Sequence, residues 1–321
     1  MKVVITGGAG FLGQLLIAEI LKRTGLPDAQ GCVQQIDGII ALDRVRGRLT
    51  DARVHYVVGD VADASHLASL FDATVGGVFH LAAVVSATAE EDFALGMRVN
   101  LGGTQAILDA CRGLAKVPRL LFTSSVAVFG GQLPEVVTDE TSATPQASYG
   151  VQKLIGELLV SEYSRKGFVD GRSLRVPTVS VRPGPPNGAA SSFASGIIRE
   201  PLAGVQAICP VEPDTALWLT SPGQLIASLL HAYELPVAAW SMDRSLNLPG
   251  ITVRVGDMVE ALSRIAGPAV ARLVQWEPDP RVSKIVRSWP AHFDTARANA
   301  MGFSHDTSFD AIIQNYIRTY T

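Results

Sequence analysis

Two rhythms of apolar residues alternate through the first half of the chain. Short, nearly continuous apolar runs at residues 3–5, 38–42, 54–58, 77–80, 120–123 and 176–181 predict strands. A strand covered on both faces has no reason to alternate apolar with polar, so unbroken runs point to a sheet buried between helices. Between the runs, core-type residues recur every three or four positions: Leu12, Leu15, Leu16 and Ile20, then Thr104, Ile107, Leu108 and Cys111. That spacing lays one helix face on the sheet. Strand and helix in strict turn predict an α/β fold with a doubly wound parallel sheet.

The rhythm breaks after Val181, where residues 182–188 hold three prolines and two glycines and cannot form helix. This places a first domain over residues 1–181, a return of the chain to it near 213–235, and a smaller C-terminal lobe over 182–321. Within the lobe, Asp257 followed by Glu260 suggests a capping box, residues 259–265 continue the helix, and Gly267-Pro268 stop it. A last helix carries Phe309, Ile312, Ile313, Tyr316 and Ile317 on one face.

Composition narrows the function classes. Hydrophobic residues at 47% and charged residues at 18% exclude a disordered chain. A net charge of −3 with no run of Lys or Arg argues against a nucleic-acid partner and leaves a small molecule as the expected one. No apolar run is long enough to span a membrane, and residues 2–6 are too short for a signal peptide, so no membrane association and a cytoplasmic location are expected. Cys32, Cys111 and Cys209 lie far apart, which suits reduced thiols, and Cys111 falls on a core face. The six histidines show no ligand spacing with one another or with the cysteines, so no metal is expected.

The chemistry begins at Gly7-Gly8-Ala9-Gly10-Phe11-Leu12-Gly13, directly after an apolar strand and before an amphipathic helix. Glycines there allow a tight turn, and they bring backbone N–H groups and a helix N-terminus up to a pyrophosphate, as in a Rossmann fold. Asp43 ends the second predicted strand, where a carboxylate can accept from ribose hydroxyls and repel a 2′-phosphate; NAD is therefore expected over NADP. An insert around residues 25–35 lengthens the spacing to Asp43, and Arg44 adjoins it.

Tyr149 and Lys153 stand four residues apart, so on a helix they share a face. A nearby ammonium, joined by a cationic nicotinamide, is expected to draw the phenol's pKa from about 10 towards neutrality. Ser125 lies at the carboxyl end of a predicted strand, where doubly wound sheets place ligand contacts, and Ser124 is expected to support the turn. His80 is expected to pack at a strand end.

Taken together, Gly7-x-x-Gly10-x-x-Gly13, Asp60-Val61, His80-Leu81-Ala82-Ala83, Asn100, Ser125 and Tyr149-x-x-x-Lys153 resemble the extended short-chain dehydrogenase/reductase family. The resemblance implies a catalytic Ser125, Tyr149 and Lys153. It also implies Asp60 and Val61 at the adenine, Leu81, Ala82 and Ala83 along the cofactor, Asn100 near the proton path, Pro183 against the nicotinamide, and a homodimer. The family's nucleotide-sugar dehydratases place an Asp-Glu pair after the threonine of this strand. Here Ser124 and Ser125 follow Thr123, so dehydration is not expected.

Residues 175–201, with Cys209-Pro210-Val211 and residues 218–222, resemble the NAD-dependent D-erythronate dehydrogenase branch of that family. This implies oxidation of the 2-hydroxyl of a small sugar acid. Arg182 can bind a carboxylate bidentately, and Ser191 and Ser192 head an expected helix whose N-terminus favours anions; with Asn187 they complete the substrate residues expected beside Ser125 and Tyr149. Two other readings stay open: a nucleotide-sugar epimerase using the same triad without net redox change, and a non-catalytic NAD-sensing regulator, against which the tyrosine–lysine pair counts.

Overall fold

The computed structural model describes residues 1–185, 189–240 and 242–321. Seven strands, every neighbouring pair parallel, build the central sheet: β1 (Lys2–Thr6), β2 (Gly38–Asp43), β3 (Val54–Val58), β4 (Val75–His80), β5 (Arg119–Ser125), β6 (Asp170–Val176) and β7 (Ser245–Asn247). Their order is β7-β6-β5-β4-β1-β2-β3, so the winding reverses between β1 and β4. A crevice opens at the carboxyl ends of strands at such a reversal.

Side-chain alternation along each strand divides two cores. Val3, Ile5, Phe79, Leu121 and Leu174 pack with helix α1 (Phe11–Leu21) on one face. Val4, Val78, Leu120 and Phe122 pack on the other with α2 (Gly103–Arg112) and α3 (Ser148–Arg165). The α2 face has the expected members: Thr104, Ile107, Leu108 and Cys111 are all buried. After α4 (Phe193–Leu202) the chain returns to the sheet as α5 (Pro222–Glu234), which buries Leu225, Ile226, Leu229 and Leu230 against the α1 side. A further core joins α4, α6 (Val255–Ala266) and α7 (Phe309–Tyr320) through Ile197, Met258, Leu262, Ile312 and Ile313.

Two expectations need correction. The sixth strand was expected over residues 176–181, but the sheet strand is Asp170–Val176; Thr178–Val179 instead pairs with Ala216–Thr220 in a separate three-stranded sheet. Three charged residues, Asp170, Arg172 and Arg175, hide β6 in an apolar scan, yet all three are buried and paired. The capping box is also displaced. Helix α6 starts at Val255 with Arg254 at its N-cap, which puts Asp257 in the first turn, where it complements the helix dipole without capping. Gly267 does end that helix, at φ +93°.

Candidate active site

The glycine loop is built by close approach. Gly7 takes a φ of +71°, and a Cβ there would stand 3.0 Å from the Ala82 amide nitrogen; one on Gly13 would stand 2.2 Å from the Gly7 carbonyl oxygen. Neither position admits a larger residue. The first turn of α1 has no acidic residue and no side-chain cap, so its N–H groups and the positive end of its dipole are left for an anion. Asp43, at the end of β2, ties into this loop: its carboxylate accepts from Ala9 N at 3.0 Å and from Arg44 N at 2.7 Å. Next along the sheet edge, the Asp60 carboxylate accepts from Ala62 N at 2.9 Å and pairs with Arg98; these two contacts hold its pKa below the usual carboxylate range.

A buried relay fixes the loop after β4. Ala82 N donates to Thr6 Oγ1 at 3.1 Å, Thr6 Oγ1 lies 2.6 Å from His80 Nδ1, His80 Nε2 lies 3.0 Å from Thr104 Oγ1, and Thr104 donates to Asn100 O at 2.6 Å. Since Thr104 spends its proton on Asn100, His80 carries its proton on Nε2 and accepts from Thr6 at Nδ1. Burial pushes the imidazole down to about 3, which keeps it neutral. Asn100 sits in a π-helical stretch, Met97–Gly102. Its amide accepts from Val84 N at 2.7 Å, and donates to Val84 O at 3.0 Å and to Gln152 Oε1 at 2.7 Å. In this structure Asn100 therefore braces the loop from behind and does not line the cleft.

Tyr149, Lys153 and Ser125 do come together. Lys153 Nζ lies 5.6 Å from the Tyr149 ring centre and donates to Thr123 O at 2.7 Å, two residues before Ser125 on β5. Ser125 Oγ accepts from Ala127 N at 3.1 Å and still faces the cleft. The electrostatics depart from expectation. Burial pushes the phenol up to about 12, and the same burial pushes Lys153 down to about 7, opposed by the nearby Glu157 carboxylate. Desolvation of both partners thus outweighs the pull of the ammonium on the phenol.

A cleft of about 590 Å³ runs over the carboxyl ends of the strands from Gly7, Gly10, Phe11, Leu12 and Gly13, past Asp43, Asp60 and Val61, then Leu81, Ala82 and Ala83, to Ser125, Tyr149 and Lys153. Arg182 and Ser191 line its far end; Pro183 and Ser192 do not, although Ser192 holds the N-cap position of α4. The expected contact at Asn187 lies outside the described residues. Sequence reading missed Ser86, Val179 and Trp289, which also line the cleft. Ser86 Oγ accepts from Ala190 N at 3.3 Å, tying the loop after β4 to the segment before α4. A lone Trp289 after a lobe helix carries no signal that would separate it from core.

The model of the NAD dependent epimerase/dehydratase family matches residues 3–218, and the chain belongs to that family. Within it, the chain is 56% identical over 318 residues to the D-erythronate dehydrogenase of Cupriavidus necator, covering 99% of this chain and 98% of that protein. It is 43% identical to the D-erythronate dehydrogenase of Haemophilus influenzae, covering 99% of each. Among solved structures, the nucleoside-diphosphate-sugar epimerase from Agrobacterium tumefaciens is similar at 37% identity and a TM-score of 0.91, over 100% of this chain and 94% of that one.

Proposed function

We propose that the protein is an NAD-dependent dehydrogenase that oxidises the 2-hydroxyl of a small sugar acid, D-erythronate to 2-dehydro-D-erythronate. The observation that carries this reading is the convergence of Tyr149, Lys153, Ser125 and Arg182 at one end of a cleft whose other end is the glycine loop. The 56% and 43% identity to D-erythronate dehydrogenases supports the substrate. NAD fits the residues present: Gly7 and Gly13 make a cradle that a Cβ would fill, and the first turn of α1 is uncapped. Gly7, Gly10, Phe11, Leu12 and Gly13 would hold its diphosphate, Asp43 the adenosine ribose, Asp60 and Val61 the adenine, and Leu81, Ala82, Ala83 and Lys153 the path to the nicotinamide. When bound, NAD supplies the acceptor for the C2 hydride.

The chain's own groups do the rest. Ser125 and Tyr149 hold the 2-hydroxyl, Tyr149 takes its proton as general base, and Lys153 stabilises the phenolate by its charge. Arg182 anchors the substrate carboxylate. Activity with D-erythronate and NAD, well above that with NADP, is the expected result of an assay following NADH formation. UDP-sugar turnover with none on sugar acids would overturn the substrate. Arg182→Leu should raise KM and lower kcat/KM, since anchoring and orientation are lost together.

A cytoplasmic homodimer completes the proposal. No helix among the described residues is long and apolar enough to cross a membrane. Phe93 and, on α3, Val151 and Leu158 are exposed apolar residues suited to a second copy. Light scattering should give a particle of twice 34.0 kDa, and a monomer would refute it.

A further inference from the structure

Helix α3 carries Tyr149, Lys153 and Glu157 at four-residue spacing, so all three share one face. The proposed chemistry uses the first two and leaves Glu157 unexplained. Its carboxylate is 2% exposed and fully engaged: it accepts from Ser124 Oγ, from Arg175 Nε at 3.0 and 3.1 Å, and from Arg175 Nη2 at 2.8 Å. The Arg175 guanidinium in turn lies 5.0 Å from the Phe129 ring centre and donates to Asn247 Oδ1 at 3.4 Å. Two successive residues of β5 are thus each gripped from α3, Thr123 by Lys153 and Ser124 by Glu157, and the third, Ser125, opens into the cleft. A buried ion pair is a poor source of stability, because apolar side chains of equal volume would hold helix to strand as well.

We propose that Glu157 is a positioning residue for the proton-handling pair: its buried carboxylate, clamped by Arg175 and Ser124, favours the ammonium form of Lys153 and sets the register of Ser125 against Tyr149. The inference rests on the reading of Tyr149 and Lys153 given above. Around Lys153, α3 contributes Tyr149 and Glu157, β4 contributes the neutral His80, and β5 presents the Phe122 ring and the Thr123 carbonyl, while Arg175 of β6 faces Glu157. Asp139 and Asp243 act on Arg175. Burial drives Lys153 towards neutrality, and Glu157 is the group that opposes it.

Lysine-selective NMR titration of the cofactor-free protein provides the test. In Glu157→Gln the Lys153 midpoint should fall by about one pH unit or more. The alkaline limb of the kcat/KM profile should move down with it, and Glu157→Asp should restore both. A midpoint and limb unchanged in Glu157→Gln, with only thermal stability lowered, would show a purely structural glutamate and overturn the proposal. If that variant does not fold, Glu157→Gln with Arg175→Gln, which leaves no buried charge of the pair unmatched, carries the same test. Failure of the functional reading itself shows separately, as activity retained in Tyr149→Phe.

Discussion

Replacing Tyr149 by phenylalanine is expected to lower kcat by about 10²-fold or more while leaving NADH binding nearly intact. The substitution keeps the ring that lines the cleft and removes only the oxygen proposed to take the substrate proton. The glycine loop, Asp43 and the loop after β4 are untouched, so cofactor affinity, read by fluorescence titration, should stay near wild type. A variant retaining more than about a tenth of wild-type kcat would mean that another group serves as base. Because burial pushes the phenol up to about 12, that oxygen is protonated in the cofactor-free site at neutral pH, and the activity of the wild type should rise with pH until the alkaline limb set by Lys153 is reached.

The largest effect on stability is expected from Asp170→Asn. Asp170 begins β6, at the edge of the sheet opposite the cleft, and its carboxylate accepts from Arg119 Nε at 2.9 Å and from Arg172 Nη2 at 2.8 Å, with Arg244 Nη1 at 3.4 Å. Both inner arginines are essentially inaccessible, at 1% and 0% exposure, and both donate to Tyr233 O at the end of α5. Burial already pushes Arg172 down to about 10 against the pull of Asp170. Asparagine keeps the shape and removes the charge, which leaves two buried guanidiniums uncompensated. A loss of about 3–5 kcal/mol follows from breaking a buried pair on one side only. Chemical denaturation should show it, with kcat unchanged in the folded fraction; a midpoint equal to wild type would mean that the arginines are solvated or paired elsewhere.

The sites differ in how far the residues alone disclose them. Gly7, Gly10 and Gly13 are legible because a tight turn and a helix N-terminus are local matters, set by backbone conformation over a few residues. Tyr149 and Lys153 are legible for the same reason, since helix geometry alone puts them on one face. Glu157 was open to the same argument, one turn further along, but a carboxylate on a helix reads as solvent-facing until its partner is known. That partner, Arg175, comes from a strand whose charges hid it from an apolar scan.

From the sequence by itself came the alternation of buried strands and amphipathic helices, the break in rhythm after Val181, the glycine loop, and Tyr149 and Lys153 on one helix face, all encoded by periodicity and short-range spacing. Only the tertiary structure decided which charges could be buried. Asp170 and Arg172 of β6 with Arg119 of β5, or Glu157 of α3 with Arg175 of β6, are tolerable in a core only when the packing of separate elements brings the charges within hydrogen-bond reach of all their partners. It also decided the protonation of Tyr149 and Lys153, because their desolvation depends on everything packed around them and not on their four-residue spacing. Trp289 and Ser86 reached the cleft in the same way, by long-range packing that no local pattern records.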